Sequence, residues 1–168
     1  LLQDESYRKM EDVEMVLRYF AYRQLDKMSN FKTQEVFLDN YLEQANKYNE
    51  EVLQKLEDIF LKTCKLVYDI FGSSALYMPD NGIQRRTVPT KTVYDPLMQV
   101  ISENLDREQN LLDNKEKIKD LLFKDANDLE YQSKNKKSPL FDGKYNSKNN
   151  VLARIKYIRQ VINQALNL

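Results

Sequence analysis

A chain of 168 residues is long enough for one domain with its own core. Its 26 basic and 26 acidic residues balance, so overall charge points to neither a nucleic-acid partner nor a membrane surface. It has no histidine, one cysteine and three glycines, which excludes Ser-His and Cys-His nucleophiles, histidine or four-cysteine zinc sites, an intrachain disulfide and any Gly-rich phosphate loop.

Leu1 stands where a Met would start a chain, so the expectation is a piece of a longer protein. The single cysteine, Cys64, fits a reducing cytoplasm. No apolar run approaches the roughly 20 residues that span a bilayer, so no membrane partner is expected. The balanced charge hides an asymmetry. Residues 1–113 hold 14 Lys/Arg and 20 Asp/Glu, whereas residues 114–168 hold 12 and 6. Two solvated faces of opposite sign account for this, and so does a basic C-terminal third that meets phosphate or an acidic partner.

Low Gly and Pro and long 3.6-residue periodicities predict an all-α fold, an irregular bundle of about six helices in a single helical domain over 1–168. The first helix is expected over about 8–28, with Met10, Val13, Val16, Leu17, Phe20, Ala21 and Met28 at helical spacing. Thr33 or Asn30 can cap the next helix. Two helices are then read, about 33–46 and 49–70, with the polar "NKYNEE" between them. Gly72 suits the left-handed position that ends the second. Residues 73–91 hold Pro79, Gly82 and Pro89 and read as irregular. A helix resumes near Lys91 or Thr92 and runs to about Leu105; Pro96 either kinks it or, on the favoured reading of a start near Tyr94 or Asp95, lies in its first turn, where the missing N–H is harmless. A short amphipathic helix covers 114–126. "QSKNKKSPLFDGKYNSKNN" is turn-rich, and a last helix follows Ser147 and buries Val151, Leu152, Ile155, Ile158, Val161 and Ile162.

The first helix, "RKMEDVEMVLRYFAYRQL", carries charges inside an apolar run. At 100° per residue with Asp12 as zero, Met10, Val13, Val16, Leu17 and Phe20 fall at about 40–160°. Met15, Tyr19 and Tyr22 fall at about 280–340°. A helix apolar on two faces is expected to pack on two sides. Glu14 and Arg18 occupy one seam, Asp12 and Arg8 the other, each an i,i+4 acid–base pair. Two readings stay open: ordinary surface pairs, or a semi-buried polar cluster of Arg8, Asp12, Glu14 and Arg18 with Arg154 as a fifth member. Asp12 and Glu14 point to different seams, so they do not converge on one substrate atom, and no catalytic residue is assigned.

"DNGIQRRTVPTK" places Arg85, Arg86 and Lys91 close together in an extended loop, a candidate contact for phosphate or a carboxylate-bearing partner. Lys134, Lys136 and Lys137 in "SKNKKSP" read as a tether, since no aromatic is interleaved among them.

"RKMEDVEMVLRYFAYRQL" resembles the signature helix that follows the N-terminal nuclease-like domain in the GmrSD-type, ParB/sulfiredoxin-fold family, long catalogued as a domain of unknown function. "KTQEVFLDNYLEQANK", "FLKTCKLVYDIFGSSAL", "VPTKTVYDPLMQVIS" and "NSKNNVLARIKYI" resemble later elements of that family in the same order, over roughly residues 8–162. The resemblance implies a bacterial phage-defence protein that restricts modified DNA. The family's Asp-Gly-Gln-Gln-Arg motif belongs to its N-terminal domain and is absent here; "DNGIQRR" lies in the middle of this chain and does not stand in for it. The histidine-free chain does not match the family's C-terminal nuclease either. What the resemblance implies is therefore a non-catalytic helical scaffold that needs no cofactor. Its expected partner is an N-terminal nuclease-like domain of the same protein, with DNA as a further partner. Two alternatives are a nucleic-acid contact module using Arg85, Arg86, Lys91 and the basic C-terminal third, and an unrelated helical adaptor.

Overall fold

A computed structural model describes residues 10–27, 31–77, 90–122, 130–133, 136–141 and 147–168. The fold is all-α, with seven α-helices and one small β-hairpin among the described residues. The chain divides into two compact units, Leu1–Asp58 and Ile59–Leu168.

The first unit is built on α1 (Glu11–Tyr22) and α2 (Gln34–Ala45), which pack together. Glu11, Asp12 and Glu14 sit in the first turn of α1, where carboxylates favour the positive end of the helix dipole. The helix ends earlier than its apolar pattern suggests and gives way to a 3-10 turn, Leu25–Lys27, that buries Leu25. Thr33 caps α2: its backbone is extended, and its hydroxyl accepts from the Val36 amide at 3.3 Å. Aromatic rings join the two helices. Tyr22 stacks on Phe37 with centroids 5.7 Å apart, and Phe31 lies 5.4 Å from Phe37.

α3 (Glu50–Phe71) starts in the first unit and supplies most of its length to the second. The Asn49 carboxamide oxygen accepts from the Val52 amide at 3.0 Å, so α2 and α3 are separate helices rather than one. Gly72 has φ +67, the left-handed conformation expected of it. It opens a 3-10 turn, Gly72–Ser74.

The second unit is centred on α4 (Lys91–Ser102). Every residue from Thr92 to Ile101 is buried, as befits a helix enclosed on all sides. Val93, Leu97, Val100 and Ile101 make the apolar part of this core, each stabilising by roughly 1.5–3 kcal/mol. α4 packs along α7 (Lys148–Leu166), which also holds α6 (Lys115–Leu121). Ser147 caps α7 by accepting from the Asn150 amide. Asn104 closes the far end of α4 by donating to the Val100 carbonyl at 2.8 Å.

Three expectations need correction. α4 begins at Lys91, the earlier of the two expected starts and not the favoured one, so Pro96 lies within the helix and not in its first turn. There it removes one i→i−4 bond, to the Thr92 carbonyl, a defect that surrounding packing overrides. Residues 105–113 are helical, as a 3-10 turn Leu105–Arg107 and α5 (Glu108–Asp113), although their apolar positions are too few to announce it. The polar segment before α7 contains an antiparallel hairpin, β1 (Glu130–Ser133) and β2 (Lys136–Pro139), in the register Glu130↔Pro139 to Ser133↔Lys136.

Candidate functional site

Within the first unit, α1 brings Glu14 and Arg18 together. They are one helical turn apart, and Arg18 Nη1 lies 3.5 Å from Glu14 Oε1. The pair is lopsided: the Arg18 side chain is 1% exposed and that of Glu14 35%. Arg18 also stands 5.1 Å from the centroid of the Tyr22 ring, and Arg23 stands 5.8 Å from that of Tyr19. The guanidinium of Arg18 is thus set among aromatic surface on the buried face formed by Tyr19 and Tyr22. Asp12 is half-buried on the other seam, and its expected partner Arg8 lies outside the described residues.

The two apolar faces of α1 have different fates. Tyr19 and Tyr22 are buried, and so is Ala21, which borders the second face beside Leu17. Met10, Val13 and Val16, on the opposite face, are exposed, Val13 by 54%. The expectation that the helix packs on two sides is met in part: one face is covered, and on the other Val13 and Val16 are exposed while Leu17 and Phe20 are half-buried.

Arg154 belongs to the second unit. It is 2% exposed, and its Nε donates to the Leu140 carbonyl at 2.7 Å. It serves α7 and the segment leading into it, while Arg18 and Glu14 serve α1.

Sequence reasoning missed the other buried polar groups of this unit. Thr92, Asp95 and Gln99 are buried and share one face of α4, at positions i, i+3 and i+7. Asn150 is buried in the first turn of α7, and its Oδ1 has no hydrogen-bond partner. A signal was present at Asp95, an acid inside the apolar run "VYDPLMQVI". Nothing in the local pattern distinguishes Asn150 from its exposed neighbour Asn149.

Of the basic-loop candidates, Arg85 and Arg86 lie outside the described residues, and Lys91 is the half-buried first residue of α4. Lys134 is also outside them. Lys136 and Lys137 sit on β2, in register with Ser133 and Gln132.

A small cavity of about 190 Å³ lies in the first unit, lined by Gln24, Lys27, Phe37, Tyr41 and Gln44. Burial, reinforced by Tyr48 and opposed by Arg23, pushes the Tyr41 phenol up to about 12. Such a phenol stays protonated at neutral pH and is a poor base there. Burial likewise raises the Cys64 thiol, which keeps it from the thiolate form that reacts. Among the described residues, no three His, Cys, Asp or Glu side chains gather to hold a metal ion, and no helix is long and apolar enough to cross a membrane.

No family model, no curated protein and no solved structure matches this chain.

Proposed function

We propose that this chain is a helical scaffold and interaction domain. The observation that carries the reading is an exposed apolar stripe on α1, beside half-buried Leu17 and Phe20. Met10, Val13 and Val16 are exposed on the same helix whose other face is buried with Arg18, Tyr19 and Tyr22. An exposed apolar stripe on an otherwise packed helix suits a docked partner. The buried charges support the same reading, since Arg18 and Arg154 are held by near neighbours within their own units.

The finer reading follows the sequence resemblance: the partner is a nuclease-like domain, and the parent protein restricts modified DNA. In that setting the chain transmits between domains and performs no chemistry itself. The purified chain is then expected to show only background nucleotide hydrolysis and DNA cleavage. Turnover that a point substitution within the chain abolishes overturns the proposal. DNA binding that falls steeply with added salt would favour the nucleic-acid contact module instead.

A further inference from the structure

The cavity beside Tyr41 is built from two short stretches of the first unit, each set by helical spacing. Phe37, Tyr41 and Gln44 fall within about 60° of one another on α2. Gln24 and Lys27 stand three apart where α1 gives way to the 3-10 turn. There the Lys27 amide donates to the Gln24 carbonyl, and side chains three apart eclipse. Both sets line the same space of about 190 Å³.

The lining is one-sided in its chemistry. Phe37 and Tyr41 are buried and give an aromatic floor. Lys27 brings a cation, and Gln24 and Gln44 bring carboxamides. Tyr41 is 6% exposed, and its hydroxyl makes no hydrogen bond with a described residue. Lys27 makes no ion pair with a described residue either. Burial keeps the Tyr41 phenol protonated and so a donor, and the positive charge of Arg23 is felt there. Among the described residues, no carboxylate lines the cavity. Glu35, Asp39 and Glu43, the acids of α2, fall about 120–200° round the helix from Tyr41. The carbonyls at this end of α2 are occupied: those of Leu42, Gln44 and Ala45 accept from the Asn46, Lys47 and Tyr48 amides.

We infer that this cavity binds a free aromatic monocarboxylate of one ring, its carboxylate taken by Lys27 and the Tyr41 hydroxyl and its ring laid against Phe37. The size agrees. A cavity of about 150 Å³ holds a benzene molecule, so this one has room for a ring with a single small substituent. The lysine and the phenol donate, and each carboxamide can turn its N–H groups inward, so the ligand supplies acceptors. The ammonium makes a negative acceptor the best one. A phosphate suits the site less, since the lining offers no guanidinium fork and no helix N-terminus, and an aromatic floor gives it nothing to bind. The inference goes beyond the scaffold reading and stands whether or not α1 docks a protein.

Titration of the 168-residue chain with sodium benzoate, followed by heteronuclear NMR, tests this. Saturable shifts are expected at the side-chain amides of Gln24 and Gln44 and the backbone amide of Lys27, with a Kd on the order of 1 mM. Benzamide keeps the ring and loses the charge, and acetate does the reverse; each should bind at least about fivefold more weakly. Lys27→Met should weaken benzoate about tenfold and leave benzamide unchanged. Tyr41→Phe should weaken it about threefold with neutral-pH stability intact. Lys32→Met, at an exposed lysine outside the lining, should change nothing. The absence of a saturable shift at roughly ten times the expected Kd overturns the inference. So does benzamide binding as tightly as benzoate, a Kd that Lys27→Met leaves unchanged, or inorganic phosphate that outcompetes benzoate at the same resonances.

Discussion

The Nε of Arg154 donates to the carbonyl oxygen of Leu140 at 2.7 Å, and both residues are buried. The bond spans 14 positions and ties α7 to the segment that follows the hairpin. A charged donor of this kind also satisfies a carbonyl that has left water. Arg154→Met keeps most of the side chain's bulk and strands that carbonyl, so it should lower stability by about 2–3 kcal/mol. Arg154→Lys should recover little, because a point ammonium lacks the fixed fork of the guanidinium. Urea unfolding checks both through the midpoint, with the slope unchanged.

Arg18 makes a different demand on its surroundings. Glu14 remains partly in water, so deleting Arg18 does not leave a carboxylate buried alone. The loss comes from emptied volume and from the guanidinium–Tyr22 contact. Arg18→Ala should therefore cost on the order of 3 kcal/mol. Glu14→Gln should cost less than about 1 kcal/mol, as for a partly solvated pair. Equal losses from the two substitutions, measured by thermal unfolding, would contradict this division.

Tyr41 predicts an alkaline effect. Its phenol titrates near 12 in the folded chain against 10.0 for an unperturbed tyrosine. Below pH 10 the group is neutral in both states and adds no pH dependence. As pH rises from 10 to 12 the unfolded chain ionises first, so stability falls, by up to about 3 kcal/mol from this group. Tyr41→Phe should remove that part of the loss and leave neutral-pH stability little changed. Unfolding of the two proteins compared across this pH range measures it.

Arg159 grips Glu103 with two bonds, Nε at 3.0 Å and Nη2 at 2.8 Å, joining α7 to the end of α4. Both side chains are solvent-exposed, so the coupling energy in a double-mutant cycle should be about 0.5–1 kcal/mol, falling with salt.

The elements most legible in the sequence were those with local chemistry. Thr33 and Ser147 cap helices because their hydroxyls reach amides three residues on, and Gly72 takes a positive φ because it has no Cβ. The core face of α7 followed from the spacing of Val151, Ile155, Ile158 and Ile162. Elements set by tertiary packing were harder. Pro96 looked like a helix start, but burial on every side holds four further residues in helix before the favoured start near Asp95. The hairpin lacks the alternating apolar residues that mark a strand. At the candidate site, the Glu14–Arg18 pairing was readable from helical spacing. How far each apolar face of α1 is covered was not, because periodicity shows that a face is apolar and says nothing of what lies against it. Asp95, Gln99 and Asn150 were missed for the same reason.

The exposed stripe on α1 is the centre of the account, and the stability of Val13→Asp tests it most directly. A carboxylate placed among exposed side chains should change the free energy of unfolding by no more than about 0.5 kcal/mol. A loss of several kcal/mol would show that the face of Met10, Val13 and Val16 is already covered within the chain, and the scaffold reading would lose its docking surface.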